Sequence, residues 1–567
     1  MMGQYLDFKK ARCKDCYKCL RACPVKAIEV TNHQAKIISD KCILCGTCTI
    51  VCPQNAKIVH SELDEIKSLL KNNKKVIATV APSAISSFQV NDFSIIKIAL
   101  GKLGFYDAEE TAIGAQLVTR EYAKLMQTGK FKNFIVSSCP ALCKMIQMYY
   151  PKALKYLAPV DSPMIAHAKL IKKQNPDAKI VFIGPCIAKK REAADSELID
   201  GVLTFEELNE WFAEKNIEIS EISLLNIDNK KSKHANLAKS YPISHGIIQS
   251  FEMLPDNYDY MSVDGTSRCT EVLENIESLS NVFIEMNTCK DACVNGPCSL
   301  ENVGGSIKAT SDIRKYVKQE TKNLPIVKEI PESPVELSTT HPRIRVSGKI
   351  PTEKDIKDIL AQIGKTKPED ELNCGTCGYT TCREKAWAVF NGYADIEICL
   401  PYLQQRAESF SYEIIKNSQD GIIVLDFEMN ILEINNKARK ILGIFDEHVK
   451  GRAAINFFNP SDFMIALEKN EHLRRKKVLI PNTESYADIF ISIIQGHNAI
   501  VGIYKDVTHE VNYDDKLAAM RLETLETTDK VIQKQMYIAQ EIASLLGETT
   551  AETKVALLNL KKMLTDE

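Results

Sequence analysis

The chain has 567 residues, 45% hydrophobic and 26% charged, with a net charge of −2. At about 150 residues per domain this is a multidomain protein of ordinary globular composition, and it lacks the basic excess that a nucleic-acid partner would require. No apolar run approaches the ~20 residues that cross a bilayer, and the start, MMGQYLDFKKARCKD, has no signal-peptide core, so a cytoplasmic protein with no membrane partner is expected.

In that reducing compartment nineteen cysteines point to metal or redox chemistry rather than disulfides. Residues 1–62 carry two C-x2-C-x2-C-x3-C-P runs: Cys13, Cys16, Cys19 and Cys23 before Pro24, then Cys42, Cys45, Cys48 and Cys52 before Pro53. This is the signature of a two-cluster ferredoxin domain, in which the fourth cysteine of each run crosses to the other cluster. One 4Fe-4S cluster is thereby assigned to Cys13, Cys16, Cys19 and Cys52, the other to Cys42, Cys45, Cys48 and Cys23. Paired zinc sites would want two cysteine pairs separated by a longer loop.

From 63 to 315, short apolar runs such as KVIATVAP, FIVSSCP and AKIVFIGPC alternate with amphipathic stretches, which reads as α/β. Cys139 in SSCPALC and Cys186 in GPCIAKKRE stand at strand ends, where such folds place ligands. EMNTCKDACVNGPC adds Cys289 and Cys293. Four thiolates from three segments suit a further cubane, while scattered buried cysteines are the alternative that spacing leaves open.

These three segments resemble, in order and in their cysteines, the signatures of the FeFe (iron-only) hydrogenases. The resemblance implies a two-lobed α/β domain holding an H-cluster: a 4Fe-4S cubane on Cys139, Cys186, Cys289 and Cys293, the last bridging to a diiron subsite that carries carbon monoxide, cyanide and an azadithiolate. Lys189 and Glu192 fall on the family's KxxE, which gives the lysine a hydrogen bond to an iron-bound cyanide; Pro82 and Ser83 of VAPS resemble the segment lining the other cyanide. The departures concern proton transfer. Ser138 replaces the thiol that normally precedes the first ligand, and Tyr122 and Leu125 stand where two relay glutamates are aligned, although Ser162 keeps the relay serine. Gly184 and Asn287 replace two methionines beside the subsite, so a roomier, more polar pocket is expected. Of the remaining cysteines here, Cys143 competes with Cys139 as a ligand, and the proline-flanked family position favours Cys139; Cys269 and Cys298 read as buried thiols.

Residues 316–350, rich in proline and charge, read as a linker. Residues 351–405 hold Cys374, Cys377, Cys382 and Cys399 in a C-x2-C-x4-C-x16-C array. It resembles a small 4Fe-4S domain found in corrinoid methyl-transfer proteins and some signalling hydrogenases, with structural zinc as the alternative. Residues 406–510 have a helical lead, two strand-like runs, a helix and two further strands. This order resembles a PAS domain, expected without a cofactor; His448 and His497 are weighed as haem ligands and set aside. In 511–567, Leu525, Ile532, Ala539 and Leu546 recur every seven residues, Gly547 stops the helix, and Thr549 with Glu552 suits a capping box for a second helix.

The fold class expected is thus multidomain α/β and α+β. Three functions are carried forward: a low-turnover, anaerobic hydrogen or redox sensor that activates hydrogen and signals through the PAS domain; a catalytic hydrogenase exchanging electrons with a ferredoxin or another redox protein; and a hydrogenase-like iron-sulfur assembly protein lacking the diiron subsite. Hydrogen and protons are the small partners of the first two. The sensor also implies a signalling partner such as a kinase or phosphatase, and the heptads allow a homodimer.

Overall fold

Four short strands open the chain, β1 (Leu6–Phe8), β2 (Ile28–Thr31), β3 (Gln34–Ile37) and β4 (Lys57–Val59), paired antiparallel as β1 with β4 and β2 with β3. The computed structural model describes residues 5–9, 12–224, 236–301, 303–322, 324, 329–346, 348–446, 448–494, 496, 498–546 and 551–565. His497, Gly547 and Thr549 lie outside these residues. Two compact units divide the chain, 1–402 and 403–567.

Seven strands follow in the first unit: β5 (Val76–Val80), β6 (Asp107–Glu110), β7 (Phe134–Ile135), β8 (Lys179–Gly184), β9 (Gly201–Thr204), β10 (Asp259–Asp264) and β11 (Val282–Asn287). They form two parallel sheets, ordered β6-β5-β8-β9 and β10-β11-β7. β5, β9 and β11 are buried at every position, as strands of a parallel sheet covered on both faces must be. The segments that bear the candidate residues leave the carboxyl ends of β5 (Pro82, Ser83), β7 (Ser138, Cys139), β8 (Cys186) and β11 (Cys289), so both sheets feed one site.

The segment 316–350 differs from the linker expected. Residues 316–321 continue the helix Gly305–Thr321, and Tyr316 is buried in the core. Beyond it the chain is a strap: Leu337 O accepts from Asp161 N at 2.8 Å, Thr339 N donates to Pro159 O at 3.1 Å, and Ile344 N donates to Gln147 O at 3.0 Å. Leu337 packs with Tyr122, Phe134 and Phe283. Composition suggested a free segment because nothing in it is periodic; backbone hydrogen bonds, which composition does not encode, fix it.

The second unit carries a five-stranded antiparallel sheet of β12 (Gly421–Asp426), β13 (Ile431–Ile434), β14 (Leu473–Ile480), β15 (Ser485–Ile494) and β16 (Ala499–Asp506), in the order β13-β12-β16-β15-β14. β14 is the strand that periodicity missed. Its LRRKKVLI is mostly exposed, charge being a common protection for an edge strand. The helices Thr508–Leu546 and Ala551–Thr565 end the chain.

One buried acid shapes the second sheet. Glu285 on β11 is fully buried; its Oε2 accepts from Ile247 N at 2.9 Å and Ile248 N at 3.0 Å, while Oε1 has no partner. Burial pushes its carboxyl up to about 8, with the Ile248 amide opposing and Asp264 adding to the rise. The folded chain therefore keeps this proton between the ordinary glutamate value of about 4.3 and pH 8, where the unfolded chain has released it. Stability from this group is full below the lower value and falls as pH rises to the upper one, by on the order of 4–5 kcal/mol. Glu285→Gln should flatten that slope, read as urea midpoints across pH; an unchanged slope in the variant would contradict the assignment.

Candidate iron-sulfur sites and a hydrogenase-like cavity

The N-terminal cysteines sit on two matching turns. Tyr17 (φ 55°) and Gly46 (φ 72°) begin short helices Lys18–Ala22 and Thr47–Ile50 in the left-handed region, and these helices carry Cys19 and Cys48. Cys13, Cys16, Cys19 and Cys52 line one small cavity. Cys23 stands with the other run: burial pushes its thiol up to about 11 and Cys45 adds to the rise, while burial pushes Cys42 up to about 12, with Cys45 and Cys23 contributing. Thiols so placed ionise only against a cation, which is what a metal cluster supplies. Gly46 also permits close approach to the next site, since a Cβ there would fall 2.3 Å from Pro297 Cβ.

Between the two parallel sheets lies a largely apolar cavity of about 100 Å³. Cys139, Cys186, Cys289 and Cys293 line it together with Ser83, Ser138, Lys189 and Asn287. Burial pushes the Cys186 thiol up to about 11 and raises Cys289 and Cys293, and their thiol neighbours raise them further. Lys189 Nζ donates to Glu192 Oε2 at 2.6 Å and to Ser162 Oγ at 3.0 Å. Ser83 Oγ is buried without a partner. An enclosed space ringed by thiols, with an ammonium in its wall and an orphaned hydroxyl, fits a metal group carrying anionic ligands.

The positions read as departures have specific surroundings. Ser138 Oγ lies 3.0 Å from the Tyr122 hydroxyl, which is 3.1 Å from Ser137 Oγ and accepts from Ser137 N at 3.0 Å. Burial pushes the Tyr122 phenol up to about 12, against the Ser137 and Ser138 hydrogen bonds. Leu125 packs against the apolar cluster around Tyr122. The roomier pocket expected at Gly184 is not there: a Cβ at that position would fall 2.7 Å from the Phe182 ring, which occupies the space and lines the cavity. Asn287 turns its amide to Asp264, Nδ2 donating to Oδ1 at 3.1 Å. Cys143 donates to Ser137 O at 3.3 Å and opens onto a separate, polar cavity of about 380 Å³. Ser162 and Glu192 also line that second cavity, as does His341 from the strap. Cys269 and Cys298 are buried. Sequence reading missed Tyr241, Thr119 and Ser250, buried hydroxyls joined through Thr119 Oγ1 at 2.8 and 2.7 Å.

Cys374, Cys377, Cys382 and Cys399 line a further small cavity with Tyr379, Lys365 and Lys385. The Tyr379 hydroxyl is buried and unpartnered; burial raises the phenol, and Cys377, Glu384 and Cys23 add to the rise. Among the described residues no three His, Cys, Asp or Glu side chains converge tightly enough for a single metal ion; thiols set around a cavity suit the wider span of a cluster.

Cys139→Ser should lower iron content and abolish the cluster signal of the enclosed cavity, whereas Cys143→Ser should load like the parent chain. Iron analysis with electron paramagnetic resonance checks this. Loss in the second variant and not the first would exchange the two roles.

A family model described as the iron-only hydrogenase large subunit, C-terminal domain, matches residues 74–297; a 4Fe-4S dicluster domain matches 12–56 and a putative Fe-S cluster domain 370–401. Among relatives, the NADP-reducing hydrogenase subunit HndD of Solidesulfovibrio fructosivorans is 23% identical over 258 residues, 40% of this chain and 44% of its own. Iron hydrogenase 1 of Clostridium pasteurianum is 24% identical over 368 residues, 51% of this chain and 64% of its own, so this chain spans about half to two thirds of these relatives. A ferredoxin of Methanothermococcus thermolithotrophicus is 31% identical over 52 residues, 87% of its length. A solved HydA1 FeFe-hydrogenase of Chlamydomonas reinhardtii covers 50% of this chain and 99% of itself at 16% identity and a TM-score of 0.40. The chain is thus an FeFe hydrogenase-like iron-sulfur protein whose N-terminal segment belongs with the dicluster ferredoxins.

Proposed function

We propose that the chain activates hydrogen slowly at an H-cluster, and that the resulting change in the redox state of its iron-sulfur sites biases a PAS-type module that reports it. The observation that carries this reading is the cavity in which Cys139, Cys186, Cys289 and Cys293 meet Lys189 and the unpartnered Ser83. When bound, the H-cluster supplies the reversible splitting of hydrogen into two protons and two electrons. Cys139, Cys186, Cys289 and Cys293 would hold it. Lys189, steadied by Glu192 and Ser162, presents a positive charge toward the anionic ligands, and Ser83 presents a hydroxyl donor from β5. Phe182 and Met164 make the walls of the site apolar on their side.

Slow turnover is inferred from Ser138. A proton leaving the cavity on this side meets alcohol and phenol groups, Ser138 with Tyr122 and Ser137, and none of these exchanges protons near neutral pH as a thiol does. The reporting role rests on residues 403–567. A five-stranded antiparallel sheet with the helices Asn436–Leu442 and Ser461–Lys469 between its second and third strands has the layout of a PAS domain. A catalytic enzyme coupled to ferredoxin would share every ligand, so turnover separates the two readings.

Infrared bands of iron-bound carbon monoxide and cyanide are expected in the anaerobically matured chain. They should disappear in Cys293→Ala and weaken in Lys189→Ala, which keeps the cubane. No bands after competent maturation would sink both hydrogenase readings. Native turnover should be low, and Ser138→Cys should raise it on the order of tenfold or more. High turnover in the unaltered chain would make the ferredoxin-coupled enzyme the better reading.

A further inference from the structure

Lys385 is a buried cation without a carboxylate. It is 3% exposed, on the helix Cys382–Phe390, and lines the cavity formed by Cys374, Cys377, Cys382 and Cys399. Its Nζ donates to two backbone carbonyls, Ile396 O and Ile398 O, each at 2.7 Å. Of the other buried lysines of this unit, Lys189, Lys190 and Lys239 are paired with Glu192, with Glu207 at 3.0 Å and with Glu110 at 2.6 Å, while Lys41 lies over the Trp387 and Tyr393 rings and Lys365 donates to the Asp370 carbonyl. Around Lys385 the groups able to bear negative charge are Cys399, Cys377 and Cys382, with Lys365 as a second cation nearby. A charge is seldom buried without a counter-charge. The groups beside Lys385 that can supply one are the thiols of Cys399, Cys377 and Cys382.

Two further observations place this cavity beside the ferredoxin segment. Tyr379, whose buried hydroxyl has no partner, lines the same cavity and shares one apolar cluster with Cys23 of the ferredoxin segment. The loop that delivers Cys399 is joined to that segment, since Val30 N donates to Tyr393 O at 3.1 Å and Asp395 N donates to Val30 O at 3.3 Å. Immediately after Cys399 comes the helix Leu400–Asn417.

We propose that Lys385 raises the reduction potential of a 4Fe-4S cluster at these four thiols, so that it fills before its neighbours, and ties its reduction to the backbone entering the helix Leu400–Asn417. The proposal rests on reading this thiol set as an iron-sulfur site. One electron arrives from the adjacent ferredoxin-type cluster, which is oxidised as this one is reduced; no bond is made or broken and no proton is required. The added negative charge lies beside an ammonium in a dry setting, which favours the reduced state. The same charge draws the ammonium toward the cluster and away from the carbonyls of Ile396 and Ile398. Reduction therefore loosens the loop that positions Cys399. Lys385 is a positioning and tuning residue, and the electron does not pass through it.

The experiment uses the full chain with all its clusters loaded. A potentiometric titration followed by electron paramagnetic resonance compares the parent with Lys385→Gln, which keeps amide donors for the carbonyls but drops the charge, and Lys385→Arg, which keeps the charge. One cluster should shift to lower potential in Lys385→Gln and return close to the parent value in Lys385→Arg, the remaining signals staying in place. Hydrogen exchange of amides in 396–402 should be faster after reduction in the parent, with the difference lost in Lys385→Gln. A fully iron-loaded Lys385→Gln chain with unshifted potentials overturns the proposal, as does a redox-dependent exchange difference that survives the substitution. Zinc in place of iron at these cysteines in the parent would instead overturn the iron-sulfur reading of the site, and this proposal with it.

Discussion

A thiol taken out of water holds its proton more tightly, and the placement of such thiols governs the architecture of residues 1–402. Burial raises Cys23, Cys42, Cys186, Cys289 and Cys293, and close thiol neighbours raise them further. An apolar shell that encloses these groups is unfavourable for bare thiolates and favourable for thiolates bound to a cationic metal core. Without metal these thiols keep their protons, binding of a cationic core releases them, and holding the thiols in place falls to the surrounding backbone. Parallel strands supply that rigidity for Cys139, Cys186 and Cys289, and paired left-handed turns supply it for the N-terminal sets.

Close contact between the sites then becomes a packing problem. Cysteines of the ferredoxin segment, Cys139 and Cys186 of the enclosed cavity, and Cys377 share one apolar cluster with Leu20, Ile28, Ile187 and Tyr379. Glycines stand at two of these close contacts: Gly46 against the Pro297 ring, and Gly378 (φ 93°), where a Cβ would fall 2.8 Å from Leu20 Cγ. Lys41 adds a different attachment, its ammonium 3.9 Å from the Trp387 ring centre and 3.8 Å from that of Tyr393. Such a cation between two aromatic faces contributes on the order of 1–2 kcal/mol when desolvated. Residues distant in sequence are held together by it, one step from Cys42.

Much of this was legible in the sequence for a simple reason: ligand runs are local. Cys13–Cys52 and Cys374–Cys399 announce themselves by spacing, whereas the set from Cys139 to Cys293 is spread over three segments and emerged from resemblance. What escaped was the long-range part. Gly184 suggested empty space because a missing side chain is visible in a sequence, while the Phe182 ring two residues away on the same strand face, which fills that space, is not. The strap has no periodicity to read, and its hydrogen bonds belong to the backbone. The charged β14 looked like surface because, as an edge strand, it is mostly surface. Glu285 gave no signal either, its burial being set by a sheet assembled from strands more than a hundred residues apart.

The strap has a temporal consequence. It begins after Cys293, so during synthesis every cysteine of the enclosed cavity leaves the ribosome before the segment whose Leu337, Thr339 and Ile344 close over residues 147–161. His341, in that closing segment, donates from Nε2 to Ala158 O at 3.1 Å, a contact that forms only when the strap has docked. The cavity beside Lys189 and Ser162 is thus bounded on one side by a segment made after all the cysteines of its neighbouring site, and a nascent chain stalled before the strap offers a more open entrance than the finished one.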